Sequence, residues 1–152
     1  MSDIYVHLLA GVQSEYLAAQ DAIDYVIANW QRESVVRAIQ GGLEDFQRAS
    51  DDMEAIFLIR LFSIFEGILK EHLAQHHPSI HVPEEVHAVN QPDRVAQRRP
   101  RPITFPLRHH VHEVRRYRNF LVHPRGPALP VLFFPDALAP LSKFVDHLPE
   151  PR

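Results

Sequence analysis

Cysteine is absent from all 152 residues. That excludes a disulfide framework, a thiolate zinc site and a cysteine nucleophile. Long apolar runs are missing as well. The densest, residues 56–59, is broken by Arg60, far short of the ~18 residues that a membrane span requires. The opening Met1-Ser2-Asp3-Ile4-Tyr5 lacks the basic and apolar regions of a secretory signal. These absences lead us to expect a cytoplasmic protein with no membrane partner. Its length suits a single domain over 1–152 with its own hydrophobic core.

Proline is missing from residues 1–77, although the chain holds thirteen: six fall in 78–106 and seven in 124–151. Where proline is absent, apolar residues recur at helical spacing, and the pattern predicts an all-α fold, a single-domain helical bundle of about five helices. The first helix is expected over 3–31, with Leu9, Val12, Tyr16, Ala19, Ile23, Val26 and Trp30 forming one apolar stripe. A second is expected over 33–49, weakened by Gly41-Gly42. Ser50-Asp51-Asp52 reads as a stop followed by an N-cap. The third, 52–76, is apolar around most of its circumference, as a central helix or one facing a second subunit would be. Its polar exceptions Arg60, Ser63, Glu66 and Lys70 form a narrow stripe. Residues 78–106 read as a long Pro/Arg-rich loop with one helical turn near 84–89. A fourth helix, 107–123, should end at Pro124, and a short last one should run from a cap at Asp136 to Leu148, with Pro140 in its first turn.

The net charge of −3 conceals a strong polarity. Residues 94–125 carry nine arginines against one acid, Glu113, a local charge of +8 that leaves −11 elsewhere. A chain so divided can offer a cationic face to an anionic partner, or its arginines can pair internally with the acidic remainder. Arginine rather than lysine favours phosphate, whose oxygens its planar fork grips in pairs. Arg98, Arg99 and Arg101 in the loop either follow a nucleic-acid backbone or keep the loop solvated.

On the fourth helix, His110, Val114, Tyr117 and Leu121, with Val111 beside them, form the expected core face. His112, Arg115, Arg116, Asn119 and His123 recur at helical spacing as a second, polar stripe. Asn119 and His123 are four residues apart, and Arg118 flanks them with a stem long enough to bring its guanidinium near His123. Histidine exchanges protons near neutrality, and a guanidinium supplies fixed positive charge to a reacting phosphate. Basic residues at a helix end also complement the helix dipole without any catalytic task.

The segment Arg118-Asn119-x-x-x-His123, preceded by Val114-Arg115-Arg116-Tyr117 and followed by Pro124, resembles the Arg-x4–6-His motif of HEPN domains. Upstream, Phe65-Glu66-Gly67-x-x-Lys70 is similar to a helix phrase of several HEPN branches. The resemblance spans roughly residues 50–125. It implies a helical bundle that pairs as a homodimer, with the motifs facing each other, and RNA cleavage without metal or cofactor. Arg118 would hold the scissile phosphate, His123 would act as acid or base, and Asn119 would orient one of them. Arg115, Arg116 and Arg125 would contact RNA. Glu66 reads first as a member of a structural ion pair, with a place at the border of the cleft as the alternative. The resemblance further implies a toxin, restrained by a cognate antitoxin protein, or a phage-defence effector. In one toxin branch a modified tyrosine follows two residues after the histidine; here Arg125 stands there, so regulation by that modification is not expected.

Two rival readings remain. One is a catalytically inactive HEPN-like module that binds RNA, a nucleotide or a protein; the other is an unrelated helical scaffold. A metal site is not expected, because His109, His110 and His112 lack the i,i+4 spacing that a helical zinc pair favours.

Overall fold

The computed structural model describes residues 3–32, 40–76 and 103–148. They form four helices and, among the described residues, no strand: α1 (Asp3–Asn29), α2 (Leu43–His76), α3 (Phe105–Val122) and α4 (Phe134–Val145). The all-α expectation holds. None of these helices is long and apolar enough to cross a membrane. The expected turn at 84–89, the arginines Arg98, Arg99 and Arg101, and residues 33–39 of the expected second helix lie outside the described residues.

The largest correction concerns 50–52. No helix ends there; α2 runs unbroken through Ser50, Asp51 and Asp52. Such residues favour caps because their side chains compete for backbone groups, yet without glycine or proline they do not stop a helix whose neighbours are packed. Gly41 and Gly42 precede α2 and build its start. Gly41 takes φ 116°, in the region that favours glycine, and the Gly42 amide donates to Asp45 Oδ2 at 2.9 Å. Asp45 thus reaches back over the first turn, as the third residue of a capping box does.

One side of α2 supplies the core, with Leu58, Leu61, Phe62, Phe65, Ile68, Leu69 and Leu73 all buried, while Ile56 on the opposite side is 59% exposed. A helix so long and apolar is covered by neighbours on one face only. α1 lies antiparallel to it, since Trp30 meets Phe46, Tyr16 meets Glu54 and Glu15 pairs with Arg60. The α1 stripe is as expected, with Tyr5 added to the buried Leu9, Val12 and Tyr16. α4 runs along α2 in the same direction, from Phe134 beside Phe57 to Phe144 beside Phe65, the two ring pairs meeting edge-on.

α4 also departs from expectation. It begins at Phe134 rather than at an Asp136 cap, and Pro140 sits well inside it. Pro140 lacks the amide that would close one helical turn; burial of Leu141, Phe144 and Val145 just beyond holds the helix together. Phe133 at the N-cap has no side-chain acceptor. Glu54 of α2 supplies one: its Oε2 accepts from the Phe134 amide at 2.7 Å, while its Oε1 accepts from the Tyr16 hydroxyl at 2.5 Å. The Tyr16 ring stacks on Phe134 at 4.3 Å. One carboxylate therefore ties three helices together at the positive end of α4.

In α3, Pro106 lies in the first turn, and the buried residues are Leu107, Val111 and Val114, with Tyr117 and Leu121 packed against the core. His110 is exposed, not part of the core face: α3 starts two residues earlier than expected and Leu107 takes the inward position.

Loss of the Glu54 carboxylate leaves the Phe134 amide and Tyr16 hydroxyl without their acceptor. Glu54→Ala is expected to lower stability by about 2–3 kcal/mol and Tyr16→Phe by about 1 kcal/mol in urea unfolding; an Ala variant within error of wild type contradicts the clamp. Burial, and then the neighbouring Glu54, push the Tyr16 phenol up to about 12. Its proton is therefore kept by the folded chain and lost by the unfolded one between about pH 10 and 12, so stability falls with rising pH across that window. Tyr16→Phe should flatten the fall, measured as urea midpoints at successive pH values.

Candidate functional site

Pro124 decides where α3 stops. The residue before a proline is driven out of the helical region, and His123 adopts φ −133°, ψ 81°. Its amide still donates to the Asn119 carbonyl at 2.8 Å, so His123 caps the helix and stands at its end, exposed. The Arg125 amide then donates to the His123 carbonyl at 2.7 Å, a tight turn around Pro124. Gly126 follows with φ 92°, and the chain returns as an irregular strap, 123–133, that leads to α4.

Between the end of α3 and this strap lies an open pocket of about 420 Å3. Arg116, Arg118, Asn119, His123 and Arg125 line it, and Phe120, Pro127 and Leu129 supply its apolar walls. Five of the residues singled out in the sequence thus meet around one space. Arg115 does not line it, and Arg98, Arg99 and Arg101 lie outside the described residues.

Arg118 is the most constrained of the group. Its side chain is 21% exposed, its Nη2 lies 3.7 Å from Glu66 Oε2, and Glu66 is 17% exposed. Its Nη1 donates to Asn119 Oδ1 at 3.0 Å, and its guanidinium carbon sits 5.9 Å from the centre of the Phe62 ring. Phe62 and Glu66 are one turn apart on α2, so a single stretch of that helix provides both an aromatic face and a carboxylate for the guanidinium. Arg118 and His123 line the same pocket, and the guanidinium is held toward Glu66, Asn119 and Phe62 instead of being drawn to His123 as expected.

Arg115, one turn before Arg118, stands half-buried in the same field. Burial lowers its tendency to hold a proton, Glu66 opposes that shift, and Arg118 adds to it. Two guanidinia and one carboxylate make a cluster of net +1 behind the pocket, to which Arg116 and Arg125 add exposed positive charge. Such an arrangement suits a phosphodiester: fixed cations, a histidine at the mouth and no competing carboxylate in the lining. Among the described residues no three histidines or carboxylates converge as a metal site; His109 instead pairs with Glu113 at 3.5 Å and stacks on Phe105.

Phe62, Pro127 and Leu129 belong to the site and were not singled out beforehand. Phe62 was readable, being one turn from Glu66 on the same face. The strap residues carry no periodicity, and only the fold brings them back over α3.

In comparison with known proteins, the chain matches no family model, no curated protein and no solved structure.

Replacing Glu66 with glutamine removes the charge that balances two partly desolvated guanidinia. Glu66→Gln is expected to cost about 1–3 kcal/mol of stability. Glu66→Gln/Arg118→Met should recover part of that loss, because both ends of the pair are then neutral. Additive losses in the double variant, read by urea unfolding, contradict the coupling.

Proposed function

We propose that the chain is a metal-independent endoribonuclease of HEPN type, acting as a homodimer and serving as a toxin or phage-defence effector. The observation that carries this reading is the gathering of Arg116, Arg118, Asn119, His123 and Arg125 around one pocket, with Arg118 fixed from behind by Glu66 and Phe62. The likeness of the Arg118–His123 segment and of the Glu66 helix to HEPN motifs supplies the reaction class.

RNA carries its own nucleophile. The ribose 2′-hydroxyl attacks the adjacent phosphorus, a base takes its proton, and the 5′-oxygen of the next nucleotide leaves with a proton from an acid. The products are a 2′,3′-cyclic phosphate and a 5′-hydroxyl. His123 is the proton-transfer group, and Arg118 meets the charge that develops on the phosphate oxygens. One histidine per protomer provides an acid and a base when two sites face each other. Asn119, already bonded to the Arg118 guanidinium, orients it. Val122, apolar and 40% exposed beside His123, fits a face that meets a second copy. An antitoxin protein would restrain the activity by covering the same face.

An inactive RNA-binding module is the second reading, favoured by the engagement of Arg118 with Glu66 and Asn119, which already occupies two of its nitrogens. With EDTA present, purified wild type is expected to cut a mixed RNA, whereas Arg118→Ala and His123→Ala fall by about 10²-fold or more. Undiminished cutting by both variants contradicts the assignment; salt-sensitive binding without cutting by wild type selects the inactive module.

A further inference from the structure

The pocket at the end of α3 has a neighbour. A smaller hollow of about 170 Å3 opens between α3 and the strap, lined by Glu113, Arg116, Tyr117, Leu129, Pro130 and other strap residues. Arg116 and Leu129 line both spaces. The two are thus adjoining compartments of one surface, a cationic one with the histidine and an apolar one with a single carboxylate at its edge.

The second compartment has the chemistry of a nucleobase site. Tyr117 offers an aromatic ring and Arg116 a planar guanidinium, the two kinds of surface on which unstacked RNA bases are held. Leu129, Pro130 and Val131 give an apolar wall, and Val131 is 67% exposed while Leu132 beside it packs against the core. The volume lies below the ~300–1,000 Å3 of pockets for drug-sized ligands, the order expected for one ring system. Glu113 sits one turn before Tyr117 on α3, at the rim. His109 contacts its Oε1 at 3.5 Å from the solvent side of the helix. A carboxylate accepts hydrogen bonds only, so it rewards a base edge that presents an amino group and penalises one that presents carbonyl oxygens.

We propose that this hollow is a nucleobase subsite beside the scissile phosphate, in which Glu113 selects bases carrying an exocyclic amine (cytosine, adenine or guanine) over uracil, which has none. The proposal rests on the RNA-cleaving reading of the adjoining pocket and adds a specificity element to it. Arg116, at the boundary, links the two compartments by facing the base with its plane and the phosphate with its charge.

The test uses full-length protein and octamers of C, A or U whose 2′-hydroxyls are replaced by fluorine, so that none can be cut. Wild type is expected to bind the C and A octamers about tenfold more tightly than the U octamer. Glu113→Ala should lose that preference while its affinity for the U octamer stays near wild type. The substitution lies mid-helix, where alanine is the most favourable residue, and the exposed pair it removes contributes little, so folding is not at risk. Equal binding of all three octamers by wild type, or a preference that survives in Glu113→Ala, overturns the subsite and leaves the RNA reading standing, provided affinity falls steeply with salt. No binding of any octamer at low salt overturns the RNA reading and the subsite with it.

Discussion

Leu58, Leu61, Phe62, Phe65, Ile68, Leu69 and Leu73 line one side of α2, and only contact with the other three helices removes them from water. That burial is the constraint on which everything else depends. Dispersion and the hydrophobic effect set how close α1, α3 and α4 approach, while polar groups set how they are aligned. Glu54 aligns α1 and α4 through two hydrogen bonds, and Glu66 aligns α3 through Arg118. Both carboxylates lie on the margins of the apolar face, three turns of α2 apart. There a charge remains partly hydrated and still meets a partner across the interface.

The same constraint positions the candidate chemistry. Phe62 is a core residue whose ring also faces the Arg118 guanidinium. An arginine held by an aromatic ring, a carboxylate and a neighbouring amide loses little further entropy when it meets an anion, which is the sense in which a site is preorganised. His123 is placed differently, by the covalent demand of Pro124 on the residue before it. One side chain is thus fixed by packing and the other by backbone sterics, and the pocket lies between them.

Much of this was legible in the chain and some was not. The α1 stripe from Leu9 to Ile23 and the termination of α3 before Pro124 follow from local rules, and the structure agrees with both; α1 ends at Asn29, so Trp30, expected on the stripe, lies just past the helix. The expected break at Ser50-Asp51-Asp52 failed because cap-forming residues are also tolerated inside a helix whose other faces are packed. The start of α4 was misplaced because its cap comes from Glu54, eighty residues earlier, and no local pattern announces a borrowed cap. Helical spacing put Arg116, Asn119 and His123 on one stripe with Arg118 at its edge, but it also put His112 and Arg115 there, and neither lines the pocket. The contribution of Arg125, Pro127 and Leu129 to one pocket depends on the turn at Pro124 and the glycine at 126, and so on geometry that periodicity does not encode.

The account stands or falls on whether the ribose of the substrate is the nucleophile. The most direct measurement compares, in EDTA, a short RNA that wild type cuts with the same RNA carrying one 2′-deoxy nucleotide on the 5′ side of the cut. The account predicts cleavage of the first, leaving a 2′,3′-cyclic phosphate, and protection of that bond in the second. Equal cleavage of both, or products ending in a 3′-hydroxyl, would contradict it.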